Sequence, residues 1–328
     1  MGITRQQALD CFASDDLIGI GMEADAVRRA LHPEGVVSYG LDGHVDLQQQ
    51  AGEAERVSHD ERLLQQVRNV LEADGTGISV NAGALANPGL DGVADLLRNM
   101  KQAFPQLQVS GFQAGEIVAA AERLHLSVRD VLLRLQEAGL QSLEGDDAGI
   151  LHDEVRQRTG TPPCDAKAWV AVHRTAHQLG LRSSASMTFG AGETSDYRVE
   201  HLETLRNLQE ETGGFLAFEL RAFQPSAMNA GQQAIDEATS VEFLKMLAIS
   251  RMVLDNVGTV RSSWWSQGLK VLQMGLRFGS NDVGSLQANG IAAASGKSTS
   301  EEELRRLIRD AGFKPVQRDL LYRTMFLP

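Results

Sequence analysis

Apolar runs of four to seven residues alternate along this chain with amphipathic stretches of ten to eighteen, a rhythm that predicts strands and helices repeating around a parallel sheet. Strands are expected at 36–41 (VVSYGL), 77–81 (GISVN), 107–112 (LQVSGF), 140–143 (LQSL), 181–189 (LRSSASMTF), 215–223 (FLAFELRAF), 259–263 (TVRSS) and 275–279 (GLRFG). Helical periodicity fills 60–73, 90–103, 115–137 with a break near Ser127, 165–179, 196–211 and 239–256, with a shorter connection at 264–274. Eight strands in this order suit a closed α/β barrel of the TIM type better than an open sheet. Two helices over 4–31 precede the barrel at 36–285, and a helix at 300–311 with a tail to 328 follows it. The expectation is one barrel domain over 1–328 with N- and C-terminal helical extensions. Ser300 followed by Glu303 reads as a capping box that opens the last helix.

In a parallel barrel the ligand site lies at the C-terminal ends of the strands, so chemistry is sought in the residues that follow each strand. Asp42 and His44, Asn81, Glu144 with Asp146 and Asp147, Ser263 with Trp264, and Asn281 with Asp282 stand there. Strand 215–223 adds more. Side chains alternate along a strand, so Leu216, Phe218 and Leu220 share one face while Ala217, Glu219 and Arg221 share the other, which places a carboxylate and a guanidinium in the lumen. Buried charges need partners, so Glu219 is expected to pair with Arg221 or Arg261. Such a pair holds the core together, or it grips or protonates a polar ligand.

Composition narrows the partners. With 328 residues, 42% of them hydrophobic, the chain can build a barrel-sized core. A net charge of −12 without a basic block excludes a phosphate backbone as partner. No apolar run approaches a membrane span and the N-terminus lacks a signal-peptide core, so a cytoplasmic protein with a small-molecule ligand is expected. Gly2 after Met1 has the form of a myristoylation start, which the acidic context argues against. Cys11 and Cys164 lie far apart and read as two free thiols. His173 and His177 in HRTAH stand one helical turn apart, at metal-binding spacing but without the glutamate of a zincin. Oligomeric state is not encoded legibly.

Several blocks carry a resemblance across nearly the whole chain: DDLIGIGMEADAVRRALHPEGVVSY, EGDDAGILHDEVRQR, WVAVHRTAHQLGLRSSASMTFGAGET, RVEHLETLRNLQEETGGFLAF, SSWWSQGLKVLQMGLRFGSNDVGS and LIRDAGFKPVQRDLLY. In that order they resemble the radical S-adenosylmethionine enzymes of the futalosine route to menaquinone, the dehypoxanthine futalosine cyclases, with aminofutalosine synthase and the deazaflavin-forming synthases as wider relatives. The resemblance implies a radical-SAM type of barrel, a nucleoside-like substrate in the lumen and adenosylmethionine at the strand ends. It also implies a CxxxCxxC loop after the first strand, whose thiolates hold a [4Fe–4S] cluster. Ala51, Glu55 and Ser58 fall on those three positions here.

Alanine does not ligate iron, and carboxylate and hydroxyl match an iron–sulfur cluster poorly. The expectation is therefore no iron–sulfur cluster and no reductive cleavage of adenosylmethionine. Glu193 of the retained GAGET turn is the candidate contact for adenosylmethionine or a related nucleoside, as polar substrate or structural ligand. Arg261 stands where a neutral polar residue is expected from the family, and Glu219 and Arg221 replace an apolar run. Two readings follow. In the first, acid–base chemistry replaces radical chemistry, with Glu219 and Asp282 as catalytic carboxylates. Arg221 and Arg261 would grip an anionic group, and Tyr39, Asp42, His44, Asn81, Glu144, Trp264 and Asn281 would contact the ligand. In the second, the fold is kept as a non-catalytic ligand-binding or scaffold protein.

Overall fold

Strand β1 (Val36–Asp46) is where the barrel's two faces are easiest to follow. Val37, Tyr39 and Leu41 are buried outward beneath helices, while Ser38, Gly40, Asp42 and His44 alternate onto the inner face. The strand runs on past Leu41, so Asp42 and His44 lie within it rather than after it. The computed structural model describes residues 2–46, 56–81, 83, 89–160, 164–224, 237–287 and 299–325.

Before β1 come helices α1 (Arg5–Ala13) and α2 (Leu17–Leu31), and after it α3 (Arg56–Glu72), β2 (Gly77–Asn81), α4 (Gly89–Ala103) and β3 (Gln108–Gly111). Next follow α5 (Ala114–Leu124), α6 (Val128–Glu137), β4 (Ser142–Leu143), α7 (Asp153–Thr159), α8 (Ala166–Gln178) and β5 (Arg182–Phe189). The last part holds α9 (Ser195–Thr212), β6 (Phe215–Ala222), α10 (Ser240–Val253), β7 (Thr259–Arg261), α11 (Trp264–Gln267), α12 (Leu269–Gly275), β8 (Asp282–Gln287), α13 (Glu301–Asp310) and β9 (Lys314–Arg318). Strands β1 to β8 pair in sequence order, all parallel, and β1 closes on both β8 and β2, which makes an eight-stranded barrel of the TIM type.

Helix α4 illustrates why the surrounding layer forms. Leu90, Val93, Ala94, Leu97 and Met100 recur at helical spacing and are buried. Covering one such leucine stabilises the fold by roughly 1.5–3 kcal/mol. The break expected near Ser127 is the boundary between α5 and α6, where the Ser127 hydroxyl caps α6 by accepting from Asp130 N–H. Ser300 caps α13 by accepting from Glu303 N–H at 3.1 Å.

Two expectations need correction. The eighth strand is not at 275–279: after α12 the backbone turns on itself through Phe278 N–H to Gly275 O (2.9 Å) and Ser280 N–H to Gly275 O (3.2 Å). These local bonds satisfy the groups that a ladder would need, and the strand begins at Asp282. Nor is the C-terminus a plain tail. Residues 314–318 form β9, parallel to the first half of β1, in register from Val36 opposite Lys314 to Gly40 opposite Arg318. Strand β2 takes the second half of the same edge, from Asp42 opposite Gly77 to Asp46 opposite Asn81. Pro315, which has no N–H to give, fits such a peripheral strand.

Candidate functional site

Parallel pairing places equivalent residues side by side, and one such row crosses the barrel: Glu219 of β6 opposite Arg261 of β7, Arg261 opposite Asp282 of β8, and Asp282 opposite Ser38 of β1. A carboxylate, a guanidinium, a carboxylate and a hydroxyl thus meet by register alone. Glu219 is 1% exposed. Its Oε2 accepts from Arg221 Nη2 at 2.5 Å and from Arg261 Nη2, and its Oε1 from the Ser263 hydroxyl. Burial pushes the Glu219 carboxyl up, but Arg221, Arg261 and Ser263 outweigh it and hold the group down at about 2. Arg221 reaches onward to Asp146 at 2.8 Å, and its guanidinium lies over the Trp265 ring, 5.4 Å from the centroid.

The second half of the row is organised by Arg318. Its Nε donates to Asp282 Oδ2 at 2.7 Å, its Nη2 to Ser285 Oγ at 3.2 Å, and its Nη1 stands 3.6 Å from Asp42 Oδ2. Ser38 donates to Asp282 and Ser285 to Asp42, at 2.7 and 2.6 Å. Gly40 makes the approach possible, because a Cβ there would stand 2.6 Å from Ser285 Oγ and 2.8 Å from Arg318 Nη1. Tyr322 joins the two halves: Arg318 stacks on its ring at 4.0 Å, and Arg261 Nη1 donates to its hydroxyl at 3.1 Å. Its φ of 60° is the left-handed conformation, which a non-glycine residue adopts at a cost of about 1–3 kcal/mol.

These groups line or underlie a cavity of about 490 Å³ in the lumen. On the opposite wall Glu144 accepts from the Ser79 hydroxyl and, at 3.2 Å, from that of Ser110. Burial, and then the neighbouring Asp146 carboxylate, push Glu144 up to about 7 against the pull of those hydroxyls. Trp264, Trp265 and Tyr322 add aromatic surface to the same cavity.

Of the residues singled out in the sequence, Asp42, His44, Glu144, Glu219, Arg221, Arg261 and Trp264 line this cavity, and Asp282 sits under it, fully buried against Arg318. Both expected pairings of Glu219 form. Four of the expected ligand contacts stand elsewhere, as does Asp147, which accepts from Gly115 N–H and Trp169. Tyr39 points outward, donating to Glu301 and accepting from Arg305, each at 2.7 Å. Asn281 precedes β8 instead of following a strand, and its Oδ1 accepts from Arg251 and Val260 N–H. Asn81 ends β2 two residues beyond the lining Ser79 and accepts from Gly83 N–H at 3.3 Å, and it is not among the residues that line the cavity. Glu193 closes its own turn: its carboxylate accepts from Gly190 and Ala191 N–H and from Arg198, and the side chain has no exposure.

The paired histidines serve packing, His173 fully buried and His177 partly buried. His173 and His177 both bond the Ser183 hydroxyl and pack on Phe215, and burial drives both pKa values down, His177 to about 4. Sequence reasoning missed Arg318, Tyr322, Trp265 and Ser285. Arg318 had one signal, its place on the same side as Val316 in a short alternating stretch.

Residues 212–328 match the family described as CofH/MqnC C-terminal region. Across 98% of its length the chain is 31% identical to the cyclic dehypoxanthine futalosine synthase of Halalkalibacterium halodurans, covering 90% of that protein. It is 32% identical, over 81% of its length and 77% of the relative, to the 5-amino-6-(D-ribitylamino)uracil–L-tyrosine 4-hydroxyphenyl transferase of Methanococcoides burtonii. Among solved structures it is similar in fold to methylornithine synthase (PylB), with a TM-score of 0.69 at 13% identity, covering 96% of this chain and 94% of that one.

These relatives overturn the expectation of acid–base chemistry in a protein without a cluster: they are radical S-adenosylmethionine enzymes, a group that normally binds an iron–sulfur cluster and adenosylmethionine. The non-catalytic alternative gains no support from them either. The chain's own thiols do not fit such a cluster, which thiolates hold. Cys11 lies in α1, and Cys164 is buried beside Arg156, its thiol pushed up to about 11 by burial and Asp147. Among the described residues no three His, Cys, Asp or Glu side chains converge as metal ligands. Ala51 and Glu55 lie outside the described residues, and Ser58 belongs to α3.

Proposed function

The chain belongs to the family of the cyclic dehypoxanthine futalosine synthases and their CofH/MqnC relatives, and from that premise we propose that it is an enzyme whose barrel lumen binds and orients one small, hydroxyl-bearing polar substrate. The observation that carries this reading is the lumen cavity itself, about 490 Å³ and lined by serine hydroxyls, carboxylates, guanidiniums and two tryptophans. That volume suits a nucleoside-sized molecule, and convergent polar groups in a concave pocket are what orient one. Relatives act on molecules of this kind: a futalosine derivative in one case, a ribityl-bearing uracil in the other. Ser79 and Ser110, with Glu144 between them, supply donors and acceptors for a sugar or polyol, while Trp264 and Trp265 give a heterocycle a surface to rest on.

Titration calorimetry of the full chain with adenosine and with 5-amino-6-(D-ribitylamino)uracil tests the reading. Saturable binding of at least one is expected, weakened about tenfold or more in Ser110→Ala combined with Glu144→Ala. No saturable heat with either compound at millimolar concentration would overturn it.

A further inference from the structure

Charge in the lumen is unevenly matched. Three guanidiniums are present among the described residues, and each already holds a carboxylate: Arg221 holds Glu219 and Asp146, Arg261 holds Glu219, and Arg318 holds Asp282 with Asp42 close by. Against these three stand five carboxylates, the four just named and Glu144. The surplus is negative. Among the described residues Glu144 makes no ion pair, although the Arg261 charge acts on it from a distance: both hydroxyls that reach it arrive at Oε1, and Oε2 has no hydrogen bond. Asp42 lines the same cavity at 6% exposure, and its Oδ1 is likewise without a partner. An anion entering this space would compete with carboxylates that the arginines already hold, with Arg261 Nε the one lumen guanidinium nitrogen buried without a partner among the described residues, whereas a cation would meet a surplus of acceptors.

We propose that the lumen selects a substrate carrying a positively charged amine, seated against Glu144 and Asp146 on the β4 side, and rejects the phosphorylated counterpart. The arginines then serve as fixed partners that keep the carboxylates oriented, and they do not grip an anionic group. The upward shift of Glu144, caused by burial and by Asp146, accords with a carboxylate whose counter-ion arrives with the ligand. Aromatic surface from Trp265 on the same cavity suits an ammonium as well. A phosphate-bearing precursor would need a phosphatase-class step before it could enter.

The inference rests on the lumen being the substrate site, and a matched series separates the two. Calorimetry is run on the full chain with adenosine, 5′-amino-5′-deoxyadenosine and adenosine 5′-monophosphate, which share one nucleoside and differ in charge. The amine is expected to bind about tenfold or more tighter than adenosine, with no saturable heat from the monophosphate. In Glu144→Gln the ratio of amine to adenosine affinity should fall toward one. Monophosphate binding as tight as adenosine, or an amine preference unchanged in Glu144→Gln, overturns the charge selection while leaving the lumen as a site. Silence from all three compounds removes the site reading and this inference together. Should Glu144→Gln fail to fold, the wild-type ranking of the three still decides.

Discussion

Two of the regions in which the interior holds polar side chains, one behind β5 and one in the lumen, treat charge in opposite ways. Behind β5, His173 and His177 share the Ser183 hydroxyl, and the His177 Nδ1 bonds the Thr212 hydroxyl at 2.7 Å. Trp169 and Phe215 seal them in, and burial keeps both rings neutral. In the lumen, by contrast, the chain retains full charges, and every guanidinium is met by a carboxylate. A polar group needed only for packing is cheapest when neutral and hydrogen-bonded. Ion pairs beside an open cavity are a costly way to fill space, so their presence marks the lumen as the region where charge has a purpose.

The comparison breaks most sharply at Arg318. Arg318→Met leaves Asp282, which has no exposure, with only Ser38 and a backbone N–H as donors, and it frees Asp42 from its nearest cation. A loss of about 3–5 kcal/mol in urea unfolding is expected. A loss below about 1 kcal/mol would mean that the pair is solvated and that the lumen is no different from the surface.

Glu219 comes next, because two arginines depend on it. Glu219→Ile should cost about 3 kcal/mol, and adding Arg221→Trp should not recover it, since Arg261 would still be buried without its carboxylate. Recovery is expected only in the triple variant that also carries Arg261→Met. Melting temperatures across the three proteins check this order, and full recovery in the double variant would show that Arg261 needs no partner.

How much of this was legible depended on parity and on where strands begin. The alternation in FLAFELRAF is enough to put Glu219 and Arg221 inside, because an apolar partner face leaves them no other side. The same parity on β1 puts Tyr39 outside with Val37 and Leu41, so its polar hydroxyl was a poor guide to the lumen. Asn281 was misplaced because the apolar residues of GLRFG suggested a strand; once β8 starts at Asp282, the pair stands at a strand's beginning. Arg318 and Tyr322 were hidden for a different reason. They reach the lumen through β9, whose Pro315 and brevity weaken any strand signal and whose partner, Val36 to Gly40 of β1, lies 278 residues earlier in the chain. The strand–helix rhythm and the family resemblance agreed on the barrel, whereas the inference of lost radical chemistry, drawn from Ala51, Glu55 and Ser58, did not survive the relatives.

The sealed region has its own signature in acid. The His177 value is depressed to about 4 in the fold, from 6.5 when exposed, so below pH 6.5 the unfolded chain takes up a proton that the folded chain refuses. This contribution is complete above pH 6.5 and is lost as pH falls toward 4. Relative to wild type, His177→Gln should flatten the stability profile between those limits by about 2 kcal/mol. Parallel profiles for the two proteins would show that His177 is solvated after all.

The smallest effect has the opposite sign and belongs to Glu144. Its folded value of about 7 lies above the 4.5 of an exposed glutamate, so the fold keeps a proton that the unfolded chain releases. That contribution is complete below pH 4.5 and disappears as pH rises through 7. Glu144→Gln keeps an acceptor for Ser79 and Ser110 but cannot ionise, so it removes the penalty of an unpaired carboxylate beside Asp146. Above pH 8 the variant should be more stable than wild type by about 1 kcal/mol, discounted for the half-buried setting, and the two should converge near pH 5. Chemical denaturation at the two pH values reads the difference directly. Equal stability at both would place Glu144 among ordinary surface carboxylates, and the lumen would lose an acidic group whose titration sets it apart from the neutral histidines behind β5.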